Sequence, residues 1–482
     1  IDDDQRFLSQ SLCTAVFDRI FAAADLKKYW LTVQLSSTWE GNIRWARNRA
    51  SLASNRRRIR VGIHLGYQDG RSASMFTNQL DDASLTAALR AAERVLDMHG
   101  GSQIIQDFPL AAPKLTPPEV KIWNDATYNT TNELRGALAR VLAEDAEKKD
   151  LLSAGFLAME AGQVATKFHL LDGQTRDRYD RYTNAECSMT VRHPQGIGSG
   201  WAGVSSYDWS AIDGRALATR ALEKCVTSLN PVRIEPGRYT VILEPQAVYQ
   251  LVKQLLLPAI TLRNLVESST GRGPYRLGYD SSLQLWRSKL GIKIVDERVT
   301  IRHNPMDPLM GVIPVAHAAD PRTGDAFSPV LPITWIEHGV LTALNYRRDY
   351  AVEQLKEDLP LLTRSGFFMD GGESSIEEMI ASTKRGLLVT RFSDVSVLEL
   401  DSLLCTGITR DGLWLIENGA ISKAVHNFRF TESPLFVLNQ LESLGTPMPV
   451  YTESLGGTGP APAFVPPIKA NDFSFTALVD AI

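Results

Sequence analysis

The chain has 482 residues, too many for one hydrophobic core, so two or three domains are expected; 44% of its residues are hydrophobic, enough for ordinary cores. Its 51 basic and 55 acidic side chains leave a formal charge of -4, which supplies no field to draw in nucleic acid or an anionic membrane. Cys13, Cys187, Cys225 and Cys405 are scattered without a CxxC or a Cys/His cluster, so free buried thiols are expected and a zinc ribbon or disulfide framework is not. No stretch reaches the ~18 consecutive apolar residues that cross a bilayer. The expectation is a soluble, cytoplasmic protein; the chain starts at Ile1, so prior removal of an N-terminal signal stays open.

Apolar residues recur at helical spacing from Phe7 to Leu26, and the segment from Thr32 to Asn78 then alternates as several strands with turns between them. Within it, Arg56 to Arg60 runs straight into an alternating strand, which points to the solvated face of a sheet rather than a phosphate site. A second helix is predicted over Asp82 to His99, a Pro-rich surface connection over Phe108 to Val120, and a third helix over Thr131 to Lys148. Strands are predicted at Leu151 to Leu171, Tyr179 to Val191 and Gly198 to Tyr207, followed by a helix over Asp213 to Leu229. Hairpin-like runs of strands with a few helices predict an α+β fold rather than a doubly wound parallel sheet.

A domain boundary is placed at Asn230-Pro231, giving an N-terminal α+β domain over 1–230 and a C-terminal β-rich domain over 231–455. GRYTVILEP opens the second domain as a strand, and Pro245 starts a helical run from Gln246 to Glu267 that Pro258 should kink. A Gly-rich loop follows, and the remainder to Tyr451 reads as strands with short helices near Tyr350, Ile376 and Leu435. Between Lys384 and Phe430, the dipeptides Asp411-Gly412 and Asn418-Gly419 predict two tight hairpins bracketing a short buried strand, Leu413 to Glu417. Residues 456–482 read as an extended Pro/Gly-rich tail, lying along the domain or reaching a partner.

The residues show no catalytic constellation. Gly198, Gly200 and Gly203 satisfy G-x-G-x-x-G, but strand-like VSSYDWS follows where a dinucleotide site needs a helix, so close packing in an antiparallel sheet is expected. None of the eight histidines precedes a glutamate, which removes H-E-x-x-H and H-E-x-x-x-H; His303, His317 and His338 could converge on a metal only through the fold. G-x-S-x-G is absent, and Cys405 has no fixed cation beside it to lower its pKa, so it is read as structural.

The sequence nevertheless resembles the TldD/PmbA family, also described as modulators of DNA gyrase and as TldD/TldE metallopeptidases. The resemblance is carried by GRYTVILEPQAVYQLV at the domain junction, KRGLLVT at Lys384 to Thr390, Thr406-Gly407, Thr409 to Gly412, Ile416 to Gly419, and Val425, Asn427 and Phe430. It implies an α+β N-terminal domain and a C-terminal domain built on a strongly curved, mostly antiparallel sheet. In that family, TldD-type members carry H-E-x-x-x-H on the first C-terminal helix, bind zinc and cleave peptides; TldE/PmbA-type members lack it and pair with a TldD-type subunit. Here the corresponding stretch, Leu256 to Arg263, has neither histidine nor glutamate.

The resemblance thus implies a non-catalytic TldE/PmbA-like subunit, with no catalytic residue, metal or cofactor of its own. Its expected partners are a TldD-like zinc peptidase subunit and an extended peptide substrate. Arg410, Asp411, Glu417 and Asn418 are candidates to line the shared chamber or interface, beside their plainer role in shaping turns and strands. The alternatives are a stand-alone hydrolase with another site, and a peptide-binding scaffold without an enzymatic partner.

Overall fold

The computed structural model describes residues 6–69, 71–98, 122–257, 289–311, 313, 330–344, 366–399, 402–453 and 461–479. The fold is α+β. In the N-terminal half, helix α1 (Gln10–Ala23) precedes strands β1 (Trp30–Ala46), β2 (Arg49–Gly66) and β3 (Ser72–Thr77) and helix α2 (Asp82–Met98). A short helix α3 (Asp125–Tyr128) and the longer α4 (Asn132–Glu147) lead into β4 (Leu152–His169), β5 (Thr175–Arg192), β6 (Ser199–Ser206) and α5 (Gly214–Thr227). Short polar side chains start the helices by satisfying free N–H groups: Ser9 accepts from the Leu12 N–H, Thr131 from Leu134 and Asp213 from Ala216.

The six strands form one antiparallel sheet in the order β3-β2-β1-β4-β5-β6. Alternation along β1 puts Leu31, Val33 and Leu35 into one apolar cluster with α1 and α2, and Trp39, Ile43 and Trp45 into another with α4 and α5. Gly41 lies between them because the Arg135 guanidinium occupies its side-chain space: a Cβ there would meet Arg135 Nη1 at 2.4 Å. The opposite face of β1 carries Thr32, Gln34, Ser36, Thr38, Glu40 and Asn42, with Trp30 packed against Phe168 and Leu170 at one end.

The predicted close-packing role of Gly198, Gly200 and Gly203 is what the fold uses. A Cβ on Gly200 would come within 2.2 Å of the Ala221 carbonyl oxygen and 2.4 Å of the Cys225 nitrogen, so its absence lets α5 lie against β6. Arg56 and Arg58, 54% and 45% exposed, both pair with Glu40 on the neighbouring strand, consistent with a solvated sheet face.

The C-terminal half opens with β7 (Gly237–Leu243) and α6 (Pro245–Leu251), which continues as a π-helical turn over Val252–Leu256. Strands β8 (Ile301–His303), β9 (Ile333–Glu337), β10 (Val340–Leu341) and β11 (Phe367–Met369), helix α7 (Ile376–Ala381), and β12 (Arg385–Glu399), β13 (Leu404–Glu417), β14 (Ala420–Ala424) and β15 (Phe428–Glu432) follow. Helix α8 (Pro434–Asn439) and strands β16 (Leu441–Leu444), β17 (Met448–Pro449), β18 (Ala463–Val465) and β19 (Ile468–Leu478) complete it. The predicted kink at Pro258, the Gly-rich loop and the helix near Tyr350 lie outside the described residues.

The curvature is extreme enough for the pairings to close a ring: β7 with β12, β12 with β13, β13 with β15, β15 with β19 and β19 back to β7. Only β7–β12 within this ring is parallel. A six-stranded sheet, β10-β9-β8-β11-β18-β17, packs against the ring through a shared core that includes Trp335, Phe367, Phe392, Phe428 and Phe473.

Two expectations are corrected here. Asp411-Gly412 does not turn a hairpin: β13 runs straight through it, and the dipeptide is a bulge at which Val389 pairs with Leu413 and Arg391 with Arg410. Both dipeptide residues keep positive φ, 56° and 123°. A bulge and a tight turn ask for the same backbone region, so the local signal cannot separate them. Asn418-Gly419, with φ of 52° and 81°, does turn the β13–β14 hairpin. The C-terminal segment is not a tail beyond Ala463: β19 pairs with β7, β15 and β16, inside the ring. Its alternation in IKANDFSF, which buries Ile468, Ala470, Phe473 and Phe475, is a strand pattern that the flanking prolines obscured.

Candidate functional site

The polar face of the N-terminal sheet carries three buried carboxylates on adjacent strands: Glu40 on β1, Glu160 on β4 and Glu186 on β5, each no more than 7% exposed. Glu40 stands directly across from Glu160, and Glu160 from Asn184. Like charges in facing positions destabilise a sheet, so such a row must be compensated. Glu40 accepts from Arg56 at 3.0 Å, Arg58 at 3.2 Å and Asn42 at 2.8 Å; Glu160 accepts from the Tyr182 hydroxyl at 2.7 Å.

The C-terminal half docks on the β5–β6 end of this face. Ser205 donates its N–H to the Val450 carbonyl at 3.2 Å, and its Oγ accepts from the Thr452 N–H at 3.0 Å. Helix α6 fixes the same segment from the other side. The Gln246 side-chain amide bonds both main-chain groups of Tyr451, at 3.1 Å each, while Gln250 does the same for Phe392 at 2.7 and 2.8 Å. Lys253, in the π-helical turn, donates to the Thr452 carbonyl at 3.3 Å. Burial lowers its pKa, opposed by attraction to Glu186 and Glu453. Tyr451 is pushed well above the usual phenol range by burial, with Glu186 adding to the shift.

A second contact joins Lys224 on α5 to Glu244 ahead of α6 at 2.5 Å. Desolvation lowers the Lys224 pKa, and Glu244 pulls it back up. Trp414 donates its indole N–H to the Thr227 carbonyl at 3.0 Å.

Of the candidate chamber residues, Arg410 and Asp411 lie at this seam. The bulge turns Asp411 fully inward, where Arg391 donates Nε to Oδ2 at 2.7 Å and adds a second bond from Nη2. Arg192 of β5 and Arg410 each stand 3.9 Å from the carboxylate, and Arg391 lies over the Trp201 ring at 5.0 Å. Glu417 and Asn418 are not gathered with them: they sit at the far end of β13, about 20 Å along an extended strand, where Glu417 pairs with Arg385 and Ala420. Sequence reasoning missed Glu160, Glu186 and Lys253. Their signal was present as single charges inside otherwise apolar runs, FLAMEAG, NAECSM and VYQLVKQL.

His303 is 1% exposed and its Nδ1 lies 3.2 Å from the Gly366 carbonyl oxygen, so Nδ1 carries the proton; burial holds its pKa down at about 4. His338 occupies the β9–β10 turn with φ of 47°, and His317 lies outside the described residues. Among the described residues no three His, Cys, Asp or Glu side chains group as metal ligands. The Cys405 thiol is buried, donates to the Glu432 carbonyl and is pushed up to about 12, which suits a structural cysteine. Among the described residues no helix is long and apolar enough to cross a membrane.

Residues 236–477, half of the chain, match the family model described as the PmbA/TldA metallopeptidase C-terminal domain. The chain belongs to the PmbA/TldD family. Three solved structures share the PmbA/TldD fold with it. TldE from Thermococcus kodakarensis is 17% identical with a TM-score of 0.74, over 97% of this chain and 100% of that one. A protein described as a modulator of a DNA gyrase from Thermotoga maritima is 15% identical with a TM-score of 0.74, over 96% and 100%. Another described as a modulator of DNA gyrase, from Bacteroides thetaiotaomicron, is 17% identical with a TM-score of 0.75, over 97% and 99%. Comparison with curated protein sequences gives no match.

The metal that a metallopeptidase family implies does not fit the residues from Leu256 to Arg263. Leu256 begins the stretch that corresponds to the zinc motif and is buried in the apolar core, and Leu257, Pro258, Ala259 and Ile260 after it are hydrocarbon. Zinc is held by thiolate, imidazole or carboxylate groups, none of which this stretch offers.

Proposed function

We propose that the chain is a TldE-type, non-catalytic member of the PmbA/TldD family that pairs with a TldD-like zinc peptidase subunit and helps enclose and present an extended peptide substrate. The observation that carries this reading is the donor set: a family match over residues 236–477 and a shared fold over 97% of the chain, with leucine, proline, alanine and isoleucine where zinc ligands would stand. In this reading the zinc belongs to the partner, and the chain needs no cofactor.

The polar sheet face supports it. Glu40 is held by arginine and asparagine and Glu160 by tyrosine, so these carboxylates and the strands that carry them are fixed in place before any peptide arrives. In this reading Asp411, with Arg410 beside it, helps hold the two halves together through Arg192 of β5, and Glu417 and Asn418 make an outer contact with the partner.

Purification from the native source tests the reading. A stoichiometric second chain bearing H-E-x-x-x-H, with peptidase activity and zinc only in the pair, is expected. A homo-oligomer that cleaves peptides by itself would refute it and favour a stand-alone hydrolase.

A further inference from the structure

A groove of about 640 Å³ runs along the outer edge of β6, between α5 and the α7 and β14 region of the C-terminal half. Trp201, Leu388, Trp414 and Ile421 give it an apolar floor, with Ile421 45% exposed. Its charged lining is Glu223, Glu244, Glu373 and Glu377 against Arg220 and Lys224, four carboxylates to two cations. Lys224 is committed to Glu244, which leaves three carboxylates facing Arg220.

Strand β6 is the last strand of its sheet. The Trp201 carbonyl accepts from Lys224 at 3.5 Å and the Ser205 N–H donates to Val450, both directed away from β5. Main-chain groups alternate sides along an antiparallel strand. Gly203, midway between the two, therefore turns its N–H and C=O outward into the groove it lines. A Cβ there would meet the Trp201 ring at 2.6 Å, so glycine leaves that ring its place in the groove.

We infer that this groove binds an extended, basic segment of another protein by strand addition at Gly203. Main-chain bonds to Gly203 set its direction. One large apolar side chain packs against Trp414 and Leu388, and a neighbouring lysine or arginine reaches the carboxylates of Glu223, Glu373 and Glu377. The inference does not rest on the pairing proposed above, because the groove is read from its own shape and charge.

Fluorescence anisotropy with the full chain tests it, using a capped, labelled heptapeptide that alternates leucine and lysine. Binding is expected to weaken about tenfold or more when glutamate replaces the lysines, and by a similar factor when the central peptide nitrogen is methylated. The double variant Glu373→Lys with Glu377→Lys, both exposed positions, should invert the preference between the lysine and glutamate peptides. No binding, equal binding of the two peptides, indifference to N-methylation, or an unchanged preference in the double variant would each overturn the inference.

Discussion

Replacing Asp411 by Asn removes one charge while keeping side-chain shape and a residue type that tolerates the positive φ of 56° found there. The carboxylate is fully buried and takes two bonds from Arg391, and Arg192 and Arg410 stand 3.9 Å away. In the variant, three guanidinium groups converge without a counter-charge. Removing one partner of a buried pair costs ~3–5 kcal/mol. Arg391 keeps 22% of its side chain exposed, so water relieves part of the penalty and ~3 kcal/mol is expected. For a unit the size of the C-terminal half, each kcal/mol shifts the melting temperature by ~2–4 °C, which gives a drop of ~6–12 °C by differential scanning calorimetry. Asp411→Ala should lose ~1 kcal/mol more, because alanine has no side-chain oxygen to ease the left-handed backbone. A drop under ~2 °C for Asp411→Asn would refute the reasoning, since the carboxylate would then contribute less than an exposed ion pair.

Three further outcomes follow from the packing. His303 is held neutral with its pKa lowered from 6.5 to about 4, so the folded state binds fewer protons than the unfolded state between those values. Its contribution is intact above pH 6.5 and is lost as pH falls toward 4, amounting to ~3 kcal/mol. His303→Gln should flatten urea stability between pH 6.5 and 4 by up to one proton's slope, and an unchanged slope would contradict this. Gly200→Ala forces a Cβ against two main-chain atoms of α5 and should cost at least ~1–3 kcal/mol, whereas Gly136→Ala, in α4 with nothing within 4 Å, should gain ~0.5–1 kcal/mol. Equal stabilities of the two variants by chemical denaturation would disprove the close approach of α5. Deleting residues 456–482 should abolish cooperative folding of the C-terminal half, followed by near-UV circular dichroism; a native spectrum would show β19 to be dispensable.

Local chemistry was sufficient wherever one element's pattern decided its own structure. The helices at α1, α2, α4 and α5 and the long strands β4 and β5 follow from apolar spacing and capping side chains that act within a few residues. Asn418-Gly419 likewise carries its hairpin in two residues. Asp411-Gly412 and β19 needed partners to be understood: whether a positive-φ pair turns or bulges depends on the strand opposite, here β12, and whether a proline-flanked segment trails or pairs depends on the vacancy between β7 and β15. The candidate site was less legible than the fold, because Glu160, Glu186, Lys253 and Asp411 come from separate parts of the sequence and meet only through the sheet and the seam.

The sequence by itself determined the α+β class, the family resemblance and the hydrocarbon residues at the zinc-motif positions, since each is a property of residue identity and short-range spacing. Only the tertiary structure decided that the C-terminal sheet closes into a ring, that Asp411 is a buried counter-charge rather than a turn residue, and that a row of carboxylates lies on one face of the N-terminal sheet. Those features depend on register and burial between segments far apart in the chain, where the energy of a charge is set by the neighbours that replace water.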